Sequence, residues 1–371
     1  MTRPPDLPES PSVPEGPHGD PIHAIALTRA GAATARRLAE GLPGCRAWVP
    51  QRYAVPGDHG FQGRVADLVA RLWAGARGFL LVMAAGIAVR SIANLLEDKT
   101  RDPAVVVLDP DGRFAVPILS GHLGGANDLA RRAARLLGGT PVLTTATDAA
   151  GKPAVEVWAR ARGWAWEPRE GVARVNGAWA DGEPVGMYVD PLAGCTGVAD
   201  DLREHLALVT GDEARASGFR GALVAVTPRV LPDLGAALFL RPPCLVLGVG
   251  CRRGADPPAV EQGVRRALAA AGLSERAVRA VATVDAKAAE PAVVRLARSV
   301  GAALVPFPPQ ELSRVEVPTP SDRVARAVGT PSVAEAAALL ASRGRLLVPK
   351  VKGDVWTLAV AAAPTSSAGS E

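Results

Sequence analysis

Apolar and polar positions alternate along this chain in two rhythms that keep succeeding one another. Short, largely apolar runs occupy 22–27, 46–49, 79–83, 104–108, 114–119 and 141–145. Between them lie stretches with apolar residues on one helical stripe, at 31–40, 64–73, 87–96 and 129–137; in the second, Val65, Leu68, Val69 and Leu72 share a face. Strands apolar on both sides, alternating with helices, predict a mostly parallel sheet covered on both faces. Residues 22–150 are therefore expected to form an N-terminal three-layer α/β unit. The rhythm returns beyond residue 241. A strand at 245–247, a glycine turn at 248–254, a helix at 257–271 and strands at 277–284 and 304–307 come first. An alanine-rich helix at 332–340 follows, with Ser332 as N-cap and Glu335 as capping-box partner, and then a hairpin turning at Gly353-Asp354. This predicts a separate C-terminal α/β domain over 241–362. Residues 151–240 carry weaker signals, a helix at 154–162 and apolar pieces at 185–189 and 222–226, and read as a small middle α/β segment. Trp158, Trp164 and Trp166 read there as packing residues.

Composition sharpens this in a few places. With seven prolines and no apolar core, residues 1–21 read as a disordered proline-rich extension rather than a signal peptide; 363–371 read as a loose tail. No apolar run approaches the length of a membrane span. The net charge is +5, but the arginines are scattered and aromatics make up only 4% of residues. That argues against a nucleic-acid platform and permits an acidic small ligand. Cys45, Cys195, Cys244 and Cys251 show neither CxxC pairing nor ligand spacing with histidine. No disulfide framework and no protein metal site is expected, and a cytoplasmic location is the default.

Candidate chemistry concentrates in Ser120-Gly121-His122-Leu123-Gly124-Gly125-Ala126-Asn127-Asp128, a glycine-rich strand-to-helix turn. Such a turn exposes helix N–H groups to an anion, and His122 places a group titrating near neutrality beside it. The plainer alternative is a βα loop whose histidine packs and whose Asn127 and Asp128 cap the helix. Ser120, Gly121, Gly124 and Gly125 are the expected binding backbone. The junction at 83–90 is similar, so Gly86 and Arg90 are expected at the same cleft, with Lys99 near it; Arg90 could equally be a solvated helix residue. A second concave patch is expected from Gly248, Gly250 and Arg252 of the C-terminal glycine turn with Asp285 and Lys287. Arg253 stands where a dinucleotide fingerprint needs its third glycine, and Pro153 follows Gly151-Lys152, so no Walker A is present. G-x-S-x-G and HExxH are also absent. The residues by themselves reach an α/β protein that binds an anionic small molecule.

Three segments in order closely resemble the cobalamin-biosynthesis protein G family (CbiG), the cobalt-precorrin-5A hydrolases: 86–90 (GIAVR), 98–107 (DKTRDPAVVV) and 119–127 (LSGHLGGAN). Further C-terminal matches are 248–254 (GVGCRRG), 285–287 (DAK), 328–336 (VGTPSVAEA) and 347–350 (LVPK). Pro331 and Ala286 depart from the family's usual glycine and larger apolar residue. The resemblance implies a cobalt-bearing, carboxylate-rimmed tetrapyrrole substrate carrying a lactone. Opening the lactone with water and breaking a carbon–carbon bond would release acetaldehyde. The cobalt would arrive within the substrate, so no separate cofactor is implied; other cobalamin-pathway enzymes are candidate partners. Under this reading His122 is the acid–base group, Asp128 the second candidate base and Asn127 an orienting or oxyanion group. A non-catalytic tetrapyrrole carrier is the alternative. A nucleotide-dependent enzyme is disfavoured by the broken fingerprints.

Overall fold

The computed structural model describes residues 21–362 except 99–100, 122–123, 146–150, 196, 323–324 and 327–328. The chain divides into two compact units, 1–157 and 158–371.

The first unit holds β1 (Ile22–Ala26), α1 (Arg29–Gly41), β2 (Cys45–Pro50), β3 (His59–Phe61), α2 (Val65–Leu72), β4 (Gly78–Val82), α3 (Ala85–Ile92), β5 (Ala104–Leu108), β6 (Phe114–Leu119), α4 (Ala126–Leu137) and β7 (Thr140–Pro141). They build one seven-stranded sheet in the order β3-β2-β1-β4-β5-β6-β7. β1, β4 and β5 are buried at every position, as strands covered on both faces must be. Alternate strand residues feed two cores. Ala24, Leu80 and Val106 meet Ala35 and Leu38 of α1 and Ala130 and Ala133 of α4 on one side. Ile25, Leu81 and Val105 meet Leu68 of α2 and Ala88 and Ile92 of α3 on the other. The expected strand at 141–145 shrinks to the two-residue β7, and the edge strand β3 was not expected. Three residues ending in one buried phenylalanine leave no apolar run to read.

The second unit begins within the helix α5 (Val155–Ala161) and carries two sheets. β8 (Ala165–Glu167), α6 (Arg169–Ala180), β9 (Val185–Val189), β10 (Leu208–Thr210), α7 (Glu213–Ser217), β11 (Ala222–Val226) and β12 (Leu238–Arg241) form the middle sheet, in the order β10-β9-β11-β12-β8. Only β8 runs antiparallel in it. β13 (Leu245–Cys251), α8 (Pro257–Ala270), β14 (Val278–Val284), α9 (Pro291–Ser299), β15 (Ala303–Phe307), α10 (Pro309–Leu312), α11 (Ala334–Ser342), β16 (Arg345–Lys352) and β17 (Trp356–Ala362) complete the chain. Their sheet runs β15-β14-β13-β17-β16, with β16 and β17 as an antiparallel hairpin.

Two features of this sheet differ from expectation. The glycine turn expected over 248–254 begins later, because β13 continues through Cys251. Gly248 is glycine for packing: a Cβ there would stand 1.8 Å from the carbonyl oxygen of Ala334. α11 lies that close to β13. The capping box of α11 is also half formed. Ser332 Oγ accepts the Glu335 N–H at 3.3 Å, while the Glu335 carboxylate accepts from the Thr319 hydroxyl (2.8 Å) and the Lys350 amide (3.0 Å). The buried glutamate ties the helix to two other segments.

Candidate functional site

The residues expected at one N-terminal cleft lie at two opposite edges of the sheet. The cause is the direction of β6, which runs antiparallel to β5 and pairs Leu119 with Val105 but Ala115 with Leu108. The Ser120 turn therefore emerges at the amino end of β5. The turn after β4 emerges at the carboxyl end, since Val82 pairs with Leu108. Three residue steps along β5, from Val105 to Leu108, separate the two, about 10 Å.

At the amino edge, Ser120 adopts a left-handed conformation, φ 56°, which costs a non-glycine residue roughly 1–2 kcal/mol. Its curl turns the Ser120 and Gly121 carbonyls onto the amides of Ala126 (3.1 Å) and Asn127 (3.0 Å). These two early amides of α4 are thus taken by the turn itself, which corrects the expectation that the helix start is open to an anion. Gly124 is required by the same curl, because a Cβ there would fall 2.2 Å from Ser120 Cβ. A Cβ on Gly121 would come within 2.9 Å of Asn127 Oδ1, and Gly125 holds φ 84° as the N-cap. Ser120 Oγ donates to the Asp102 carbonyl at 2.9 Å, so the loop before β5 meets the turn. Asn127 is buried and its Nδ2 donates to Thr145 Oγ1 at 3.1 Å. Asp128 is partly exposed in the first turn of α4. His122 and Lys99 lie outside the described residues.

At the carboxyl edge the chain order reverses, from β1 outward through β2 and β3, then from β4 outward through β5. Open α/β sheets place ligand crevices at such switch points. A crevice of about 490 Å³ lies there, between Thr28 after β1 and Met83–Ala85 after β4, with Ile87, Asp109 and Phe114 on its walls. Ile87 is 40% and Phe114 50% exposed, large apolar side chains on the surface at one opening. Gly86 is exposed in the first turn of α3, and Arg90 folds back so that its Nη1 donates to the Gly86 carbonyl at 3.2 Å. This edge presents an apolar floor, a helix start and an arginine.

In the second unit the turn that follows β13 runs from Arg252 to Ala255. Gly248 is buried and Gly250 half-buried within the strand; Arg252 is exposed, its amide bonded to the Val355 carbonyl at 2.9 Å. Asp285 and Lys287 sit at the carboxyl end of the neighbouring β14. Glu290, which the sequence did not single out, joins the two: it accepts from Lys287 Nζ at 3.0 Å and from the Gly254 amide at 3.2 Å. The Lys287 ammonium and that amide hold its carboxyl below the usual glutamate range.

The middle sheet has its own switch point, between β9 and β11, and no residue there was anticipated. Asp190 follows β9 and Thr227 follows β11. The buried Asp190 carboxylate accepts from Thr227 Oγ1 at 2.5 Å, Arg229 Nε at 2.6 Å and the Leu192 amide at 2.9 Å. Arg229 Nη2 reaches Glu213 Oε1 (2.6 Å) and the Tyr188 hydroxyl (2.8 Å). Its bond to Asp190 holds the guanidinium above its ordinary pKa, despite partial burial. Burial, with Asp190 nearby, pushes the Tyr188 phenol up to about 12. The sequence signal for this cluster was faint: one polar residue directly after each of two apolar pieces.

Comparison with known proteins places these features. Family models match in chain order: the cobalamin synthesis G N-terminal region over 67–148, the cobalamin biosynthesis central region over 153–242 and the cobalamin synthesis G C-terminus over 245–361. The cobalt-precorrin-5A hydrolase of Priestia megaterium is 33% identical over 322 residues, 82% of this chain and 83% of that protein. The cobalt-precorrin-5A hydrolase of Salmonella typhimurium is 33% identical over 351 residues, 92% of this chain and 97% of that one. Protein CobE of Sinorhizobium sp is 37% identical over 126 residues, 33% of this chain and 81% of its own length. With all three regional models matched and full-length relatives at this identity, the chain belongs to the cobalamin synthesis G family.

Proposed function

We propose that this protein is a cobalt-precorrin-5A hydrolase. What carries the reading is the 33% identity to two proteins of that name over as much as 92% of the chain. The substrate is a cobalt-bearing tetrapyrrole whose ring acetate is closed as a lactone onto a former meso carbon, which also bears a methyl group and a hydrogen and keeps one bond to the macrocycle. Water adds to the lactone carbonyl, the ring ester bond breaks, and the acid and a carbinol are released. The carbinol then gives up its proton as the carbon–carbon bond to the macrocycle breaks, the electron pair staying with the macrocycle, and acetaldehyde leaves.

Such a sequence needs a base for the water and a relay for the carbinol proton. His122 is the group we assign to both, since its ordinary pKa lies near neutrality. Asp128, six residues further on at the head of α4 and partly exposed, is the second candidate base. Buried Asn127, engaged with Thr145, orients the helix start rather than donating to an oxyanion. The apolar crevice at the β1/β4 switch point opens at the opposite ends of the strands from the Ser120 turn, so it takes no part in the chemistry assigned to His122.

The test is incubation with the lactone intermediate, trapping acetaldehyde as its hydrazone. His122→Ala is expected to lower turnover by roughly 10²–10⁴-fold, the usual contribution of a positioned acid–base group, with much less effect on binding. Wild-type release from the variant would remove His122 from the chemistry. No release from the wild type, with the intermediate still bound, would favour a carrier.

A further inference from the structure

The middle crevice belongs to no residue discussed under the proposed reaction. It measures about 570 Å³ and opens at the carboxyl ends of β9, β10 and β11, with Arg345–Leu347 of β16 as its far wall. Both topology and position mark it as a ligand site, a switch point walled by a second sheet of the same unit. The segment that carries Arg229 is fixed from that side as well. Arg229 pairs with Leu273 in an isolated bridge, and the Val230 amide donates to the Gly272 carbonyl at 2.8 Å.

We propose that this crevice binds a carboxylate carried on a short hydrocarbon stem, with Arg229 and Arg345 as its cationic contacts. Resting on the hydrolase reading, the ligand is an acetate or propionate arm at the tetrapyrrole rim. Arg229 is already oriented: Asp190, 2% exposed, is its positioning residue, and the Asp190 carboxylate is fully spent on Thr227, Arg229 and the Leu192 amide. Glu213 shows what the remaining face of the guanidinium accepts. Its carboxylate sits 2.6 Å from Arg229 Nη2, yet the side chain is 48% exposed, on a helix of five residues. An incoming carboxylate can take that place as Glu213 swings to water. Arg345 supplies a second charge from the opposite wall, where its side chain is exposed. Leu192 and Leu347 offer apolar surface for the methylenes. Asp212, the remaining acid of the wall, is engaged as the N-cap of α7, its side chain accepting the Arg215 amide.

Fluorescence anisotropy of uroporphyrin, an octacarboxylic porphyrin, with the full chain reads this directly. Arg229→Met would leave buried Asp190 without its cation and could unfold the sheet, so the test uses the rim. Arg345→Gln is expected to weaken binding about tenfold, one charge-assisted contact. Glu213→Gln is expected to tighten it several-fold, because the resident competitor loses its charge. Glutarate should compete with the porphyrin, and glutaramide should not. Unchanged affinity in either variant, or equal competition by the two small molecules, overturns the proposal. Acetaldehyde release by the wild type decides the hydrolase reading separately. Release with unchanged rim variants retires the carboxylate site alone; shifted variants without release retire the hydrolase alone.

Discussion

His23 is the second residue of β1, 2% exposed, in a strand buried on both faces where every position calls for an apolar residue. It is kept there by Trp48, whose Nε1 donates to His23 Nδ1 at 2.9 Å. An accepting Nδ1 fixes the neutral ring with its proton on Nε2. Burial, then Arg46 and His59, lowers its pKa to about 4. The linkage follows directly. Between pH 6.5 and 4 the unfolded chain binds this proton and the folded chain does not, so stability falls as pH falls through that window and is level above it. At pH 4.5 the loss relative to neutrality is roughly 2–3 kcal/mol. Urea midpoints at pH 7 and 4.5 measure it. His23→Gln keeps an acceptor for Trp48, costs some packing at pH 7, and should show a clearly smaller acid loss. Equal acid losses in the two proteins would show that another group dominates. Burial likewise pushes the Cys244 thiol up to about 12 and the Cys45 and Cys195 thiols to about 11, so these are packing residues rather than nucleophiles.

Among the elements, Gly248 illustrates how a motif can be legible while its role is not. The G-x-G pattern reads as a ligand turn, yet its first glycine lets α11 touch β13. Gly248→Ala should therefore cost roughly 2–3 kcal/mol as overpacking against backbone that cannot yield. Gly254, with open space around it, should tolerate alanine at about 1–2 kcal/mol for its φ of 67°. Comparable urea midpoints for the two variants would contradict this division. The long apolar strands and amphipathic helices were legible because each buries a face whose period the sequence must keep; β5 and β6 match their expected limits. The three-residue strands β8 and β10 were not, since their positions are only partly buried and carry no period. Strand direction was the costlier blind spot. The direction of 114–119 is written not in the apolar run but in the five-residue connection 109–113, too short for a parallel crossover, and the likeness of the junctions at Gly86 and Ser120 pointed instead to one cleft. The middle cluster is unreadable for another reason, as Asp190, Glu213 and Arg229 converge only through the crossing order of β9, β10 and β11.

At the scale of the whole chain, the second unit contains two sheets that share their polar groups. Glu167 of β8 accepts from Arg241 of β12 at 2.8 Å and, across the sheets, pairs with Arg276 at 3.0 Å. Arg241, 3% exposed, also donates to the carbonyls of Thr227 and Arg229, the segment that pairs with Leu273. Arg241 keeps all these partners within the middle sheet; separating the sheets would instead break the Glu167–Arg276 pair, the Arg229–Leu273 bridge and the backbone bonds from Ser274 to Pro228 and from Val230 to Gly272, both 2.8 Å. The covalent link is equally closed: three residues join β12 to β13, and of these Pro242 and Cys244 are buried. A protease needs an exposed, locally open segment of several residues. Limited digestion with proteinase K, which does not need a basic residue, should therefore spare 158–362 as one fragment of two sheets, with cleavage first on the amino-terminal side of α5, where 142–145 form no regular structure. Thermal unfolding of that fragment should be a single transition. Early accumulation of a fragment beginning near residue 241, or two resolved transitions, would mean that the Glu167–Arg276 pair and the backbone bonds of Pro228 and Val230 do not couple the sheets. Glu167→Gln weakens that pair without emptying the site, and should move the single transition down while beginning to split it.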